Sequence, residues 1–285
     1  MKRDDFRVVH RLRVRWAEVD MQKIVFNAHY LAYFDLAISD YWRALALPYE
    51  DAMARLGGEL YLKKVAVQYH ESACLDDQLQ VGFKCSSIGT SSMGFAGGIF
   101  RGERLLADGE LTYVFADPAT QRPTPVPQAL RRLVDRFEAG ERVYDIEAGD
   151  WTVLGPEAST VRTEVFVREQ GVPQELEWDL YDADSLHVVA RNALGQPVGT
   201  ARLLAQAKGA GRIGRMAVHR ALRGTGVGQA LLQALLAAAR SRGDAEVFLH
   251  AQRSAEKFYR LQGFAARGEC FEEAGIPHIE MAIKL

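Results

Sequence analysis

The chain has 285 residues, 48% of them hydrophobic and 25% charged, which is the composition of globular proteins with ordinary cores and a length that predicts two domains. Its 35 Lys and Arg against 37 Asp and Glu leave a formal charge of −2, so no global field recruits nucleic acid or an anionic membrane, though small charged ligands are compatible with it. Cys74, Cys85 and Cys270 are odd in number and lack C-x-x-C spacing, which argues against a zinc or redox site; reduced, packed thiols and no metal are expected.

The opening residues MKRDDFR lack the apolar core of a signal peptide, and the most apolar run, 230–239, is too short to span a bilayer. A cytoplasmic protein with no membrane partner is expected. Residues 6–16 then alternate near their end, with Leu12, Val14 and Trp16 on one face and Arg11, Arg13 and Arg15 on the other, predicting a half-buried strand. A short loop containing Asp20 follows. Tyr30, Tyr33, Phe34, Ala37, Ile38 and Tyr41 fall at helical spacing, predicting a mostly covered helix that ends near Leu47 and Pro48. Strands are predicted over 61–70, 78–88, 92–100 and 105–116, separated by Asp-Asp, Gly-Thr-Ser-Ser and Arg-Gly-Glu-Arg turns. Five strands and one early long helix imply an α+β unit, an antiparallel sheet wrapped around that helix. The segment DPATQRPTPVP, 117–127, sustains neither ladder nor helix, and 128–137 closes the unit as a short amphipathic helix.

Residues 138–150, EAGERVYDIEAGD, are polar and weakly patterned, which places a domain boundary there. Beyond it the pattern predicts a helix over 161–170, strands over 186–192, 198–204 and 213–218, a glycine-rich turn, a helix over 228–242, a strand over 246–250 and a helix over 255–262. Strands alternating with helices indicate an α/β domain. No internal repeat relates the halves.

The glycine turn, Arg223, Gly224, Thr225, Gly226, Val227, Gly228 and Gln229, links a strand to a strongly helical run. A turn of this kind leaves N–H groups facing one spot, reinforced by the helix dipole, and predicts a ligand that carries phosphate. A P-loop needs Gly-Lys-Ser/Thr, and Gln229 follows Gly228; a Rossmann turn places its first glycine at the strand end, and His219 to Leu222 intervene. The remaining pattern, Gln/Arg-x-x-Gly-x-Gly/Ala, is met by Arg223, Gly226 and Gly228. With AEKFYRLQGF at 255–264, VFVREQGVP at 165–173, HAQ at 250–252 and EEAGIPHIEMA at 272–282, residues 161–284 resemble GNAT-type N-acetyltransferases of the ElaA-like branch. That resemblance implies a mixed sheet flanked by helices, a CoA pyrophosphate cradled by the amides of 223–229, strand backbone at Met216, Ala217 and Val218 for the acetyl-pantetheine arm, and Tyr259 as the acid that protonates the departing thiolate. The base for the amine is left open among His250, Glu164, Glu169, His278 and a water chain.

The first half resembles hotdog-fold acyl-CoA thioesterases of the 4-hydroxybenzoyl-CoA thioesterase and YbgC type over residues 7–137, through YLKKVAVQYHESACLDDQL at 61–79, the turn at 88–92 and the DPATQRPTPVP tail. In that family the aspartate of the loop before the central helix is the catalytic carboxylate, which maps to Asp20. The resemblance further implies an oxyanion site at the helix start, around Phe26, Asn27 and Ala28, and a CoA cleft between subunits of a homo-oligomer. Asn27 is a candidate for positioning water or the acyl carbonyl, with helix N-cap as its structural alternative. Gln22 and His29 are weaker candidates. Relatives commonly carry glycine three residues after the aspartate; Lys23 stands there, where a side chain could reshape the loop or narrow the acyl entrance.

The expectation is therefore a hotdog domain at 1–140 and a GNAT domain at 148–285, hydrolysing acyl-CoA and transferring an acetyl group from acetyl-CoA to an amine. The alternative is a hotdog module that only oligomerises or senses acyl-CoA.

Overall fold

The computed structural model describes residues 1–207 and 209–285. They form two compact units, Met1–Val143 and Tyr144–Leu285. In the first, β1 (Val8–Arg13) leads to α1 (Asn27–Ala44), α2 (Tyr49–Leu56), β2 (Glu59–Tyr69), β3 (Gln78–Ile88), β4 (Ser92–Arg101), β5 (Arg104–Ala116) and α3 (Gln128–Glu138). The strands run in the order β1-β3-β4-β5-β2, every pairing antiparallel.

The helical spacing of the aromatic residues explains why the sheet closes on α1, which buries Tyr30, Tyr33, Phe34, Ala37, Tyr41 and Trp42 along one face. Phe34 is fully buried because two glycines paired across β4 and β5 make room for it. A Cβ on Gly97 would stand 2.4 Å from its ring, and one on Gly109 2.7 Å. Tyr41 meets Phe83, Phe95 and Phe137 edge to face, a geometry worth about 0.5–1.5 kcal/mol per pair beyond burial.

Several expectations are corrected here. Trp16 leaves the apolar face: β1 stops at Arg13, and Trp16 opens a one-turn helix and stands 80% exposed, while Glu18 turns inward. A second helix, α2, follows Pro48 and ends at Gly57 in the left-handed region at φ 72°. The thiols are free, but Cys74 and Cys270 are exposed rather than packed.

The second unit contains β6 (Tyr144–Gly149), α4 (Trp151–Arg162), a π-helical turn (Thr163–Glu169), α5 (Gln174–Glu177), β7 (Ser185–Asn192), β8 (Pro197–Gln206), β9 (Ala210–Val218), α6 (Val227–Arg242), β10 (Glu246–Gln252), α7 (Glu256–Leu261), β11 (Ala265–Glu273) and β12 (Ile276–Lys284). The stretch read as boundary thus holds an edge strand. The sheet order is β11-β12-β10-β9-β8-β7-β6, mixed because β9 and β10 run parallel. Leu231, Leu232, Leu235, Leu236 and Ala239 bury one face of α6. Glycine and proline at 155 and 156 do not interrupt α4, whose N-cap Asp150 accepts from the Val153 amide.

The register of β9 against β10 positions the site. Pairing runs from Ala210 opposite Glu246 to Ile213 opposite Leu249, and then stops. Beyond it β9 stays paired only with β8, and a bulge at Arg215, at φ 50°, re-aims the strand. The parallel strands therefore splay, and Met216, Ala217 and Val218 have no β10 partner. Arg215 is held at this unfavourable φ by Asp179 and the Glu177 and Leu176 carbonyls. Fully buried Arg162 bonds Glu177 and Asp182 nearby, with its guanidinium 5.3 Å from the Trp151 ring and 4.9 Å from the Trp178 ring.

Candidate functional site

In the first unit a pocket of about 740 Å³ is lined by Asp20, Gln22, Asn27, Tyr30, Tyr69 and His70 among others. Asp20 sits in a hairpin whose turn closes by Lys23 N–H to the Asp20 carbonyl, 3.0 Å, and whose arms bond through Asp20 N–H to the Ile24 carbonyl, 2.9 Å. Its Oδ1 accepts from the Gln22 amide at 2.8 Å, fixing the side chain, and Oδ2 has no partner among the described residues. Lys23 lies at φ 63°, the left-handed region that favours glycine, so the missing glycine is a conformational cost on the loop. Lys23 is exposed and is not among the residues lining the pocket, so of the two effects considered for its side chain, reshaping the loop is the one its φ bears on.

The helix start is also specific. Asn27 is the first helical residue rather than the N-cap, which is Phe26. The Phe26 amide is occupied by the Glu18 carbonyl at 2.9 Å and the His29 amide by the Phe26 carbonyl at 2.9 Å, so it is the Asn27 and Ala28 N–H groups that remain without an acceptor among the described residues. Tyr69 anchors the turn by donating to the Asn27 carbonyl at 3.1 Å. His29 touches Phe26 and does not line the pocket.

Sequence reasoning missed Glu18, which organises this loop. It is 3% exposed and accepts from the Arg15 amide at 2.8 Å, the Arg15 guanidinium at 2.8 Å and the Tyr33 hydroxyl at 2.9 Å. Burial opposes its charge, but those bonds outweigh it and hold the carboxyl below its ordinary value. The available signal was the glutamate three residues after Arg15, the half of a capping box that accepts from the N-cap amide. A second omission is the pair His70 Nε2 and Asp108 Oδ2, 2.6 Å apart at the same pocket.

In the second unit, Gly224 at φ 83° and Gly226 at φ 94° let the chain turn sharply into α6, a conformation that side chains resist. The amides of Gly224, Gly226, Val227, Gly228 and Gln229 have no protein acceptor among the described residues, whereas those of Arg223 and Thr225 are taken by the Arg220 and Leu222 carbonyls. The Arg223 guanidinium forms a fork with Glu169, at 2.6 and 2.7 Å.

Tyr259 is 8% exposed, and burial pushes its hydroxyl up to about 12. That hydroxyl donates to the Met216 sulfur at 3.4 Å, where the splayed β9 presents its free edge. Tyr259, Met216, His250, His278 and Glu273 line one pocket of about 380 Å³. The structure separates the base candidates. His250 and His278 lie on this wall; Glu164 pairs with Arg168 and Glu169 with Arg223, outside it. Nδ1 of His278 bonds the Ile276 carbonyl at 2.7 Å. Among the described residues no group of three or more His, Cys, Asp or Glu is placed to hold a metal, and no helix is long and apolar enough to cross a membrane.

Residues 153–285 match the family described as acetyltransferase (GNAT) domain, and residues 14–134 match the thioesterase-like superfamily. The uncharacterized N-acetyltransferase YjcF of Bacillus subtilis is 39% identical over 126 residues, 44% of this chain and 89% of that protein. Protein ElaA of Escherichia coli is 37% identical over 126 residues, 43% of this chain and 82% of that one. The solved structure of the probable thioesterase YbaW from Escherichia coli is 21% identical, covering 45% of this chain and 97% of that one, with a TM-score of 0.41. The chain therefore belongs to the GNAT acetyltransferase family through its second unit, fused in sequence to a thioesterase-like, hotdog-type domain.

Proposed function

We propose that the chain acts on CoA thioesters at two sites, hydrolysing acyl-CoA in the first unit and transferring an acetyl group from acetyl-CoA to an amine in the second. The observation that carries the transfer reading is the junction of the splayed β9 edge, the unbonded amides of the 224–229 turn and the Tyr259 hydroxyl on the Met216 sulfur. The amides and the dipole of α6 suit the pyrophosphate. The β9 edge that β10 leaves unpaired suits the amide-bearing pantetheine arm, although the Val218 carbonyl is taken by Arg223, and the Tyr259 hydroxyl reaches that edge at the Met216 sulfur. Burial keeps the hydroxyl protonated around neutral pH, so it enters the reaction as a hydrogen-bond donor.

For hydrolysis, Asp20 deprotonates the attacking water, or attacks the thioester carbonyl itself to give an anhydride that water then cleaves; the Asn27 and Ala28 amides receive the oxyanion, and collapse expels the CoA thiolate, which takes up a proton. Water and thioester become acid and thiol, with no further reactant. The exposed apolar residues of edge strand β2, among them Leu62, Val65 and Tyr69, support association of this unit into a homo-oligomer. One observation favours the alternative of a binding module: Oδ1 of Asp20 is already engaged by Gln22, and Lys23 holds the loop at a strained φ. Thiol release from acyl-CoA without any amine decides between them. Hydrolysis lost in Asp20→Asn supports the enzyme; hydrolysis equal in parent and variant refutes it.

A further inference from the structure

Three arginines line the pocket that holds Tyr259, and two are saturated. Arg202 reaches Asp179 through both terminal nitrogens and Asp182 through one, and Arg215 reaches Asp179 and two main-chain carbonyls. Arg212 differs. Among the described residues its hydrogen-bond partner is the Nδ1 of His250, at 3.2 Å, and no carboxylate oxygen lies within 4.0 Å. The same Nδ1 is 3.1 Å from Glu273 Oε2, so a cation and an anion flank one imidazole on the wall of the cavity.

A half-buried guanidinium with no carboxylate in direct contact is only partly compensated, here by Glu273 acting on it from the far side of His250. A ligand carboxylate restores the balance, because the guanidinium fork matches it with two parallel bonds. His250 and Glu273, next to Arg212 on the same wall, offer an acceptor for the ligand's amino group in the cavity that Tyr259 also lines. A polyamine fits less well: it would meet the Arg212 guanidinium, Glu177 on that wall is already committed to Arg162, and Glu273 is the carboxylate left to pair with it. The volume of about 380 Å³ suits a small molecule.

We infer that the acceptor is a small amine that carries a carboxylate, and that Arg212 is the residue that selects it. This rests on the transferase reading above. In the reaction the acceptor N–C bond forms as the thioester C–S bond breaks; the proton lost by the amine passes to the pocket or solvent, and Tyr259 supplies the thiolate's proton.

The test measures acetyl-CoA-dependent acetylation of matched pairs, leucine against leucinamide, β-alanine against β-alaninamide and glycine against glycinamide, with calorimetric titration of the same compounds into the CoA-bound protein. The parent is expected to favour carboxylated members by about ten-fold or more in kcat/KM, the size of one charge-assisted pair. Arg212→Gln should erase that preference while leaving the KM for acetyl-CoA unchanged, and Arg212→Lys should keep part of it. Equal use of acids and amides by the parent, or an equal loss on both in Arg212→Gln, overturns the inference. Carboxylate binding that depends on Arg212 without turnover keeps the pocket assignment and sinks the transferase reading; neither binding nor turnover sinks both.

Discussion

Helix α6 is preceded by its N-cap Gly226, φ 94°, and followed by Gly243, φ 86°, so the same substitution at its two ends separates folding from ligand binding. Alanine in the left-handed region costs roughly 1–2 kcal/mol. At Gly243 a Cβ meets nothing within 4 Å, so Gly243→Ala should lower unfolding stability by about that amount and leave CoA affinity untouched. At Gly226 the strain is similar, and the nearest atom is the Tyr144 hydroxyl at 3.8 Å, so the steric cost is again backbone conformation. Here, however, relaxation of φ re-aims the free amides of Gly226, Val227 and Gly228. Gly226→Ala should therefore weaken CoA binding by about five- to thirty-fold, which is the same 1–2 kcal/mol expressed as affinity. Calorimetry with CoA, alongside denaturant unfolding of both variants, reads the two effects. Equal CoA affinity in Gly226→Ala and Gly243→Ala would refute the assignment of the turn as the pyrophosphate cradle.

Three further outcomes follow from the packing and the titrating groups. Gly97→Ala drives a Cβ to 2.4 Å from the ring of fully buried Phe34 and should destabilise the first unit by about 1–3 kcal/mol; unchanged unfolding would show that α1 has room to shift. Lys23→Gly relieves a left-handed lysine, and the relief of roughly 1–2 kcal/mol is partly offset by the added freedom of the unfolded chain, so a small net stabilisation is expected; a loss of stability would contradict the strain. Because burial raises the Tyr259 hydroxyl from 10 to about 12, its contribution is fully present below pH 10 and lost as pH rises toward 12. Alkaline unfolding of the second unit in that window should be weaker in Tyr259→Phe, and an identical profile would remove Tyr259 as its source.

The strands of the first unit were legible because each alternates and is bounded by a turn, and β3 falls on the predicted residues. Helix α2 was less visible: eight residues bury only Ala52 and Met53, too few to set a period, though Pro48 and Gly57 marked its ends. Residues 151–160 went unassigned because Gly155 and Pro156 weaken a helical pattern; yet Gly155 lies against the Trp151 ring, where a Cβ would come within 2.9 Å. The splay of β9 from β10 and the bulge at Arg215 are tertiary events with no local signature. The same holds for the fork between Glu169 and Arg223, 54 residues apart. Asp20, Asn27, the glycine turn and Tyr259 were named as candidates from the resemblances; Glu18 and Arg212 required the coordinates, because their meaning lies in what does or does not stand beside them.

The central claim is that two separate sites in one chain act on CoA thioesters. Free-thiol release from an acyl-CoA panel and from acetyl-CoA, with and without amine, on the full-length parent, Asp20→Asn and Tyr259→Phe tests it most directly. The account predicts that Asp20→Asn loses amine-independent release and keeps amine-dependent release, and that Tyr259→Phe does the reverse. Both activities falling together in either variant, or both surviving in each, would contradict it.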